Sequence, residues 1–299
     1  MKPTLLILAA GMASRYGSMK QVDGFGPNGE TIIDYSIYDA IKAGFGKVVF
    51  IIKEEFAEQF RNIFDAKLRG RIEVDYVYQN FDLKPFGIEE EIYREKPWGT
   101  AHAVLSGRNV IKEPFCVINA DDFYGYDSYK KMVDFLTTEA RDDHFSIIGY
   151  ELGKTLSDFG AVSRGVCEVD AEGNLSGIVE RTKIYRDGEA IVYEENGSTY
   201  PLSATTPVSM NFWGFTPAVF KVTEALFKVF ALENKDKPKA EFFIPLIGEN
   251  FVKTKTASFK VVPTSNPWFG VTYKEDKPFV QACIDQLIKD GAYPEKLWN

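Results

Sequence analysis

The sequence predicts an α/β fold, a doubly wound and mostly parallel sheet interrupted by a β-rich insertion. Three observations carry this. Leu5-Leu6-Ile7-Leu8 has the length and apolarity of a strand buried on both faces, and it empties into the small-residue loop Ala9-Ala10-Gly11. Strand and helix signals then alternate as far as Ile148. Beyond Gly149 the texture changes, because Asp187-Gly188 and Asn196-Gly197 are hairpin turns between short β-rich runs.

In chain order, Thr31–Ala43 carries Ile33, Ile37 and Ile41 at helical spacing and stops at Gly44. Lys47–Ile52 is a second buried strand. A helix over Glu54–Asp65 follows, with Phe56, Phe60 and Phe64 on one stripe. Ile72–Tyr78 alternates as a third strand, and the charged Asn80–Lys96 segment reads as a solvated excursion. Phe115–Ile118, Ser128–Thr138 and Phe145–Ile148 continue as strand, helix and strand. Ser157–Phe215 reads as mostly antiparallel β. A helix over Pro217–Ala231 and a solvated loop at Lys235–Lys239 come next. Asp276 is placed to cap a last helix bearing Phe279, Cys283, Ile284 and Leu287, which ends at Gly291.

The chain has 299 residues, 45% hydrophobic and 26% charged, enough for a sizeable core. A net charge of −8 argues against a nucleic-acid or anionic-membrane binder, so a polyanionic substrate would need a few local bases and a cation. Cys116, Cys167 and Cys283 have no metal-ligand spacing and fit reduced thiols in the cytoplasm. His102 and His144 are too few for a multi-histidine zinc site. No run approaches the roughly 20 apolar residues of a membrane-spanning helix.

The chemistry begins where the first strand ends. Ala9-Ala10-Gly11 lets a phosphate approach backbone N–H groups, and Arg15 and Lys20 add fixed positive charge. Leu5–Gln21 thereby resembles the signature of the nucleotidyltransferases that activate sugar phosphates, such as the glucose-1-phosphate thymidylyltransferases and uridylyltransferases. Ala13 departs from it, standing where that family usually has a second glycine. The resemblance implies a Rossmann-like, GT-A-like fold. It makes Leu8, Ala9, Ala10 and Gly11 the phosphate loop and Arg15 and Lys20 the catalytic cations.

Asn119-Ala120-Asp121-Asp122 follows the fourth strand and resembles the family's metal site. Asp121 would hold Mg²⁺, with Asp122 nearer the sugar. Gln79, closing the third strand, and Gly99 with Thr100 resemble base-reading elements, although Thr100 also suits a helix cap. Asp158-Phe159-Gly160-Ala161-Val162 and Val179-Glu180-Arg181 with Lys183 resemble the sugar-phosphate elements, implying roles for Gly160, Glu180, Arg181 and Lys183. Trp268-Phe269-Gly270 resembles a turn in which the family often carries a metal-binding Asp. Gly270 lacks it; Asp276, Asn266 and Asn211 are the candidates to replace it, and the alternative is a cation held by Asp121 and nucleotide phosphates alone.

The resemblance implies transfer of a nucleoside monophosphate from a triphosphate, pyrimidine favoured, to a sugar 1-phosphate. It divides the chain into a nucleotidyltransferase domain over 1–272, with a nucleotide-binding half (1–150) and a sugar-phosphate half (151–272), and a helical extension over 273–299. Other readings stay open: a cytidylyltransferase for a non-sugar phosphate such as phosphocholine, a glycosyltransferase, and a silent nucleotide-binding paralogue. No nucleic-acid or membrane partner is expected, and a homo-oligomer is left open.

Overall fold

The computed structural model describes residues 1–11, 24–271 and 273–298. Along the chain these form β1 (Thr4–Leu8), α1 (Ile32–Ala43), β2 (Lys47–Ile52), α2 (Ala57–Leu68), β3 (Glu73–Tyr78) and α3 (Thr100–Ser106). Next come β4 (Phe115–Asn119), β5 (Asp122–Phe123), α4 (Tyr126–Thr138) and β6 (His144–Glu151). The insertion supplies β7 (Val162–Val169), β8 (Leu175–Asp187), β9 (Ala190–Glu195), β10 (Ser198–Leu202) and β11 (Pro207–Phe215). The chain closes with α5 (Val219–Glu233), α6 (Ile244–Thr254), β12 (Ser258–Pro263), β13 (Phe269–Gly270) and α7 (Lys277–Lys289).

One path through the main sheet runs β3-β2-β1-β4-β11-β6-β12, and along it β11 alone is antiparallel to its neighbours. Period-two alternation divides the apolar strands between two cores. Leu5, Ile7, Val48, Phe50, Cys116 and Ile118 pack with α1, α2 and α4. Leu6, Val49, Ile51, Phe115 and Val117 pack with α3, α5 and α6 on the other face. Continuous apolar runs are what burial on both faces requires. The hairpins fall where the sequence places them: Asp187 pairs with Ala190, and Glu195 with Ser198 across Asn196 and Gly197, both at positive φ.

β11 joins the two halves. Val208 and Ser209 pair with β7, whereas Trp213–Phe215 pair with β4, and a bulge lies between them. At that bulge Asn211 takes φ 61°, a left-handed conformation that Asn tolerates better than most residues.

The structure departs from the sequence reading at three points. Asn80–Lys96 is exposed along most of its length but anchored: Leu83, Phe86 and Ile88 are buried in the second core, and the Arg94 guanidinium stacks 3.9 Å from the Trp98 ring centroid. Asp276 does not cap α7 through its side chain; its carboxylate accepts from Ser157 Oγ (2.9 Å) and the Tyr273 N–H (2.7 Å). The sequence reading also passed over α6 and β12.

The C-terminal residues form a third apolar cluster, in which Val280, Ile284, Tyr293 and Leu297 pack on Phe25, Ile32 and Tyr35. Trp298 donates its indole N–H to buried Asp34 (2.8 Å), which also pairs with Lys67 (2.9 Å). The last helix therefore braces the residues that lead out of the 12–23 segment. Among the described residues no helix is long and apolar enough to cross a membrane.

Candidate active site

Parallel strands end at one edge of the sheet, and an open α/β sheet binds ligands at that edge. Leu8 lies in register with Ile51 and Asn119, so Ala9 and Ala10 emerge beside Ala120 and Asp121. Ala9 donates its N–H to Ile51 O (2.9 Å), and Leu8 O accepts from the Ala120 N–H (3.3 Å). Ala9 and Ala10 are buried and Gly11 is exposed. Arg15 and Lys20 lie outside the described residues.

Next to this edge a cleft of about 320 Å³ is lined by Asn119, Asp121, Asp122, Arg164, Glu180 and Asn211, with Pro245 and Trp268 among its walls. Asp122 is fixed by Asn119 Nδ2 (2.9 Å) and the Tyr124 hydroxyl (3.3 Å). Asn211 Nδ2 donates in turn to Asn119 Oδ1 (3.3 Å). With its Nδ2 engaged in this chain of amides, Asn211 keeps its side-chain oxygen as an acceptor. Of the three candidates to replace the missing Asp, only Asn211 lines the cleft. Asp276 is engaged as described above. Asn266, with its amide oxygen turned toward α4, accepts from the N–H groups of Tyr126 and Asp127. Gly270 pairs with Asp122 between β13 and β5, and a Cβ there would lie 2.5 Å from Asp122 Oδ1.

Arg164 is the cation that the sequence reading missed. It is 7% exposed, donates to Thr155 and Ser163, and its guanidinium lies 4.8 Å from the Trp268 ring centroid. Burial pulls its pKa down to about 10, with Asp122, Glu180 and Asp276 opposing. An arginine two residues from Val162 and Val166, in phase with both along the strand, was the available signal. Glu180 opens onto the cleft, yet desolvation by the surrounding walls raises its pKa, with Arg164 acting the other way.

Arg181 and Lys183 do not line this cleft. Arg181 pairs with Glu195 and stacks 4.5 Å from the Tyr193 ring centroid, and Lys183 pairs with Glu194 (3.2 Å) on the same hairpin. Gly160 is packed under Tyr273, where a Cβ would meet the hydroxyl at 2.7 Å, so the close approach it permits is to that ring.

Gln79, Gly99 and Thr100 gather at the end of β3 in a separate cluster. Gln79 Nε2 lies 3.2 Å from Gly99 O and 3.1 Å from His102 Nδ1. Gly99 has φ 101°, and a Cβ there would strike the Phe242 backbone at 2.6 Å. The Thr100 hydroxyl accepts from the Ile244 N–H (3.2 Å), tying this cluster to α6, whose next residue, Pro245, lines the cleft.

Oxygen donors dominate: two carboxylates and an amide oxygen suit a hard cation such as Mg²⁺, which takes few protein ligands and keeps water or phosphate oxygens. Among the described residues no group of three or more His, Cys, Asp or Glu could hold a metal ion by itself.

Solved structures share this architecture. The inositol-1-phosphate CTP transferase from T. maritima superposes with a TM-score of 0.65 at 13% identity, over 96% of this chain and 97% of that one. A UDP-glucose pyrophosphorylase complexed with UDP-glucose gives 0.58 at 17% identity, over 96% and 99%. HddC from Yersinia pseudotuberculosis gives 0.54 at 16%, over 94% and 99%. No curated protein sequence matches the chain. Residues 6–223 match the family described as Nucleotidyl transferase, so the strand-end loop and the cleft residues from Asn119 to Asn211 lie within that match, while Pro245 and Trp268 lie beyond it. The chain belongs to the nucleotidyl transferase family.

Proposed function

We propose that the protein transfers a nucleoside monophosphate from a nucleoside triphosphate to a sugar 1-phosphate, releasing pyrophosphate. The observation that carries this reading is the cleft itself. Asp121 and Asp122 stand at the end of β4, facing Arg164 and Glu180 from the inserted sheet. Such an arrangement has carboxylates for a cation, a fixed positive charge for a phosphate and an acceptor for sugar hydroxyls.

The reaction needs no covalent intermediate. A phosphate oxygen of the acceptor attacks the α-phosphorus in line with the departing pyrophosphate, so rate depends on positioning and on neutralising charge. The Leu8–Gly11 backbone and Arg15 hold the β- and γ-phosphates, and Lys20 stabilises charge passing through the α-phosphate. Gln79, Gly99 and Thr100 meet the base. Glu180 accepts from sugar hydroxyls, and Arg164 attracts the acceptor phosphate, with Arg181 and Lys183 adding positive charge on the neighbouring hairpin. Asp121, with Asp122 and Asn211, would hold Mg²⁺. Bound there, the ion would supply the positive charge that offsets the charge developing on the phosphates.

The test is a matrix of UTP, dTTP, CTP, ATP and GTP against sugar 1-phosphates, polyol phosphates and phosphocholine, read as pyrophosphate release. Turnover with a sugar 1-phosphate supports the proposal. Turnover confined to a non-sugar phosphate overturns the acceptor, and nucleotide binding without release across the matrix overturns the activity.

A further inference from the structure

We infer that His102 sets the base preference of the nucleotide site by locking the Gln79 amide so that it presents an acceptor and no donor. The inference rests on the proposed function, in which Gln79 meets the base, and it adds a positioning residue to that site.

Gly99 O and His102 Nδ1 both lie against the same amide atom of Gln79, at 3.2 and 3.1 Å. A carbonyl oxygen only accepts, so the atom facing it is the NH₂ nitrogen. Its second hydrogen points to Nδ1, which must therefore carry a lone pair. His102 is then the neutral tautomer protonated at Nε2. Its surroundings agree: the ring is 2% exposed and packed against Phe86 and Phe227, with centroids 5.8 and 4.6 Å away. Burial, with Arg108 and Arg94 nearby, lowers its pKa to about 3.

With both hydrogens engaged, Oε1 is what Gln79 can offer a ligand. An unconstrained glutamine turns its amide to suit either partner, whereas a locked acceptor does not. Uracil and thymine carry a hydrogen at N3 and a carbonyl at position 4; cytosine carries a lone pair at N3 and an amino group at position 4. At either atom one class of pyrimidine meets Oε1 as a donor and the other as a second acceptor. Facing two acceptors leaves a desolvated polar group unpaired, which separates the two by roughly 10- to 100-fold.

The experiment measures binding of UTP, dTTP and CTP by calorimetry for the wild type, His102→Phe and His102→Asn. Phenylalanine keeps the aromatic packing and removes the acceptor; asparagine keeps an oxygen acceptor near the position of Nδ1. The wild type should separate cytosine from uracil and thymine. His102→Phe should shrink that ratio about tenfold, the effect of one hydrogen bond that no longer opposes the flip, and His102→Asn should restore most of it. An unchanged ratio in His102→Phe, or no rescue by asparagine, overturns the lock. The tautomer gives a second readout that needs no variant: His102 and His144 are the two histidines, so ¹⁵N spectra of labelled wild type resolve them. A His102 protonated at Nδ1 overturns the lock as well. Base-selective binding without pyrophosphate release refutes the transfer reaction and leaves the lock standing, whereas failure to bind any nucleotide refutes both.

Discussion

Supplying position 270 with the carboxylate that related turns carry should damage this protein. Gly270 is not among the glycines at positive φ, so its backbone would accept any residue and the obstacle is the side chain alone. A Cβ there would lie 2.5 Å from Asp122 Oδ1 and 3.2 Å from Asp121 O, the first roughly 1 Å short of an ordinary contact of about 3.5 Å. Relief requires either that Asp122 swing away, giving up its bonds from Asn119 and Tyr124, or that β13 part from β5. Overpacking of this kind costs about 1–3 kcal/mol, and a lost hydrogen bond to a charged acceptor about as much again. Gly270→Ala should therefore destabilise by about 2–4 kcal/mol, and Gly270→Asp by more, since it sets a second negative charge against a buried one.

Urea unfolding followed by tryptophan fluorescence measures the cost, with Trp268 two residues away as a local reporter. The collision partner can be removed separately. In an Asp122→Ala background, Gly270→Ala should cost less than about 1 kcal/mol, giving a large interaction energy in the double-mutant cycle. A Gly270→Asp protein as stable and active as the wild type, or strictly additive costs in the cycle, would refute the argument that Gly270 exists to admit Asp122.

Three further outcomes follow from the site and its frame. Lys20→Ala should lower kcat by about 10²- to 10³-fold with KM little changed, as expected for a preorganised charge used in the transition state, and equal modest effects on both would count against that role. Asp121→Ala should abolish Mg²⁺-dependent pyrophosphate release, and activity that survives at any Mg²⁺ concentration would remove Asp121 as a metal ligand. Asp39 is buried, and burial raises its pKa from 3.8 to about 7 against the opposing hydrogen bond from Tyr293. The native state then holds a proton that the unfolded chain has released, so this stabilising contribution is complete below about pH 4 and lost as pH rises to about 7. Asp39→Asn should flatten that slope and unfold at higher urea than the wild type at pH 8, by at most roughly 4 kcal/mol; an unchanged slope would refute the buried proton.

The parallel strands and their order along the chain were legible because a strand buried on both faces leaves an unbroken apolar run, as at Leu5–Leu8 and Val48–Ile52. Residues attached to those strand ends were legible with them, and Asp121 and Asp122 do share a cleft with Asn211. Partners chosen by tertiary contact were not. Arg181 and Lys183 fit a phosphate-binding pattern in sequence, but the hairpin register brings Glu194 and Glu195 within reach first. The helix α6 carries Ile244, Ile247, Gly248 and Phe251 buried at helical spacing, and its Pro245 sits in the first turn, where proline is acceptable. The burial of Leu83, Phe86 and Ile88 was hidden by the charges around them.

That the two halves of the cleft face each other at all traces to β11, the strand that pairs antiparallel with both the parallel half and the insertion. A wholly parallel sheet would have its binding edge at the strand ends and nothing opposite. By running backwards between β4 and β6, β11 can leave β4 at Trp213 and continue past the strand ends, where Val208 and Ser209 take up β7 and the rest of the insertion. Between the two pairings β11 bulges against β6, and a bulge re-aims a side chain. Here that side chain is Asn211, whose amide bonds to Asn119 and, through it, is coupled to Asp122. Acidic residues from the parallel half and Arg164 with Glu180 from the inserted half are thus held to one strand at one residue. The geometry between them is set by backbone pairing and not by flexible side-chain contacts, which is the kind of rigid support that charge positioning demands.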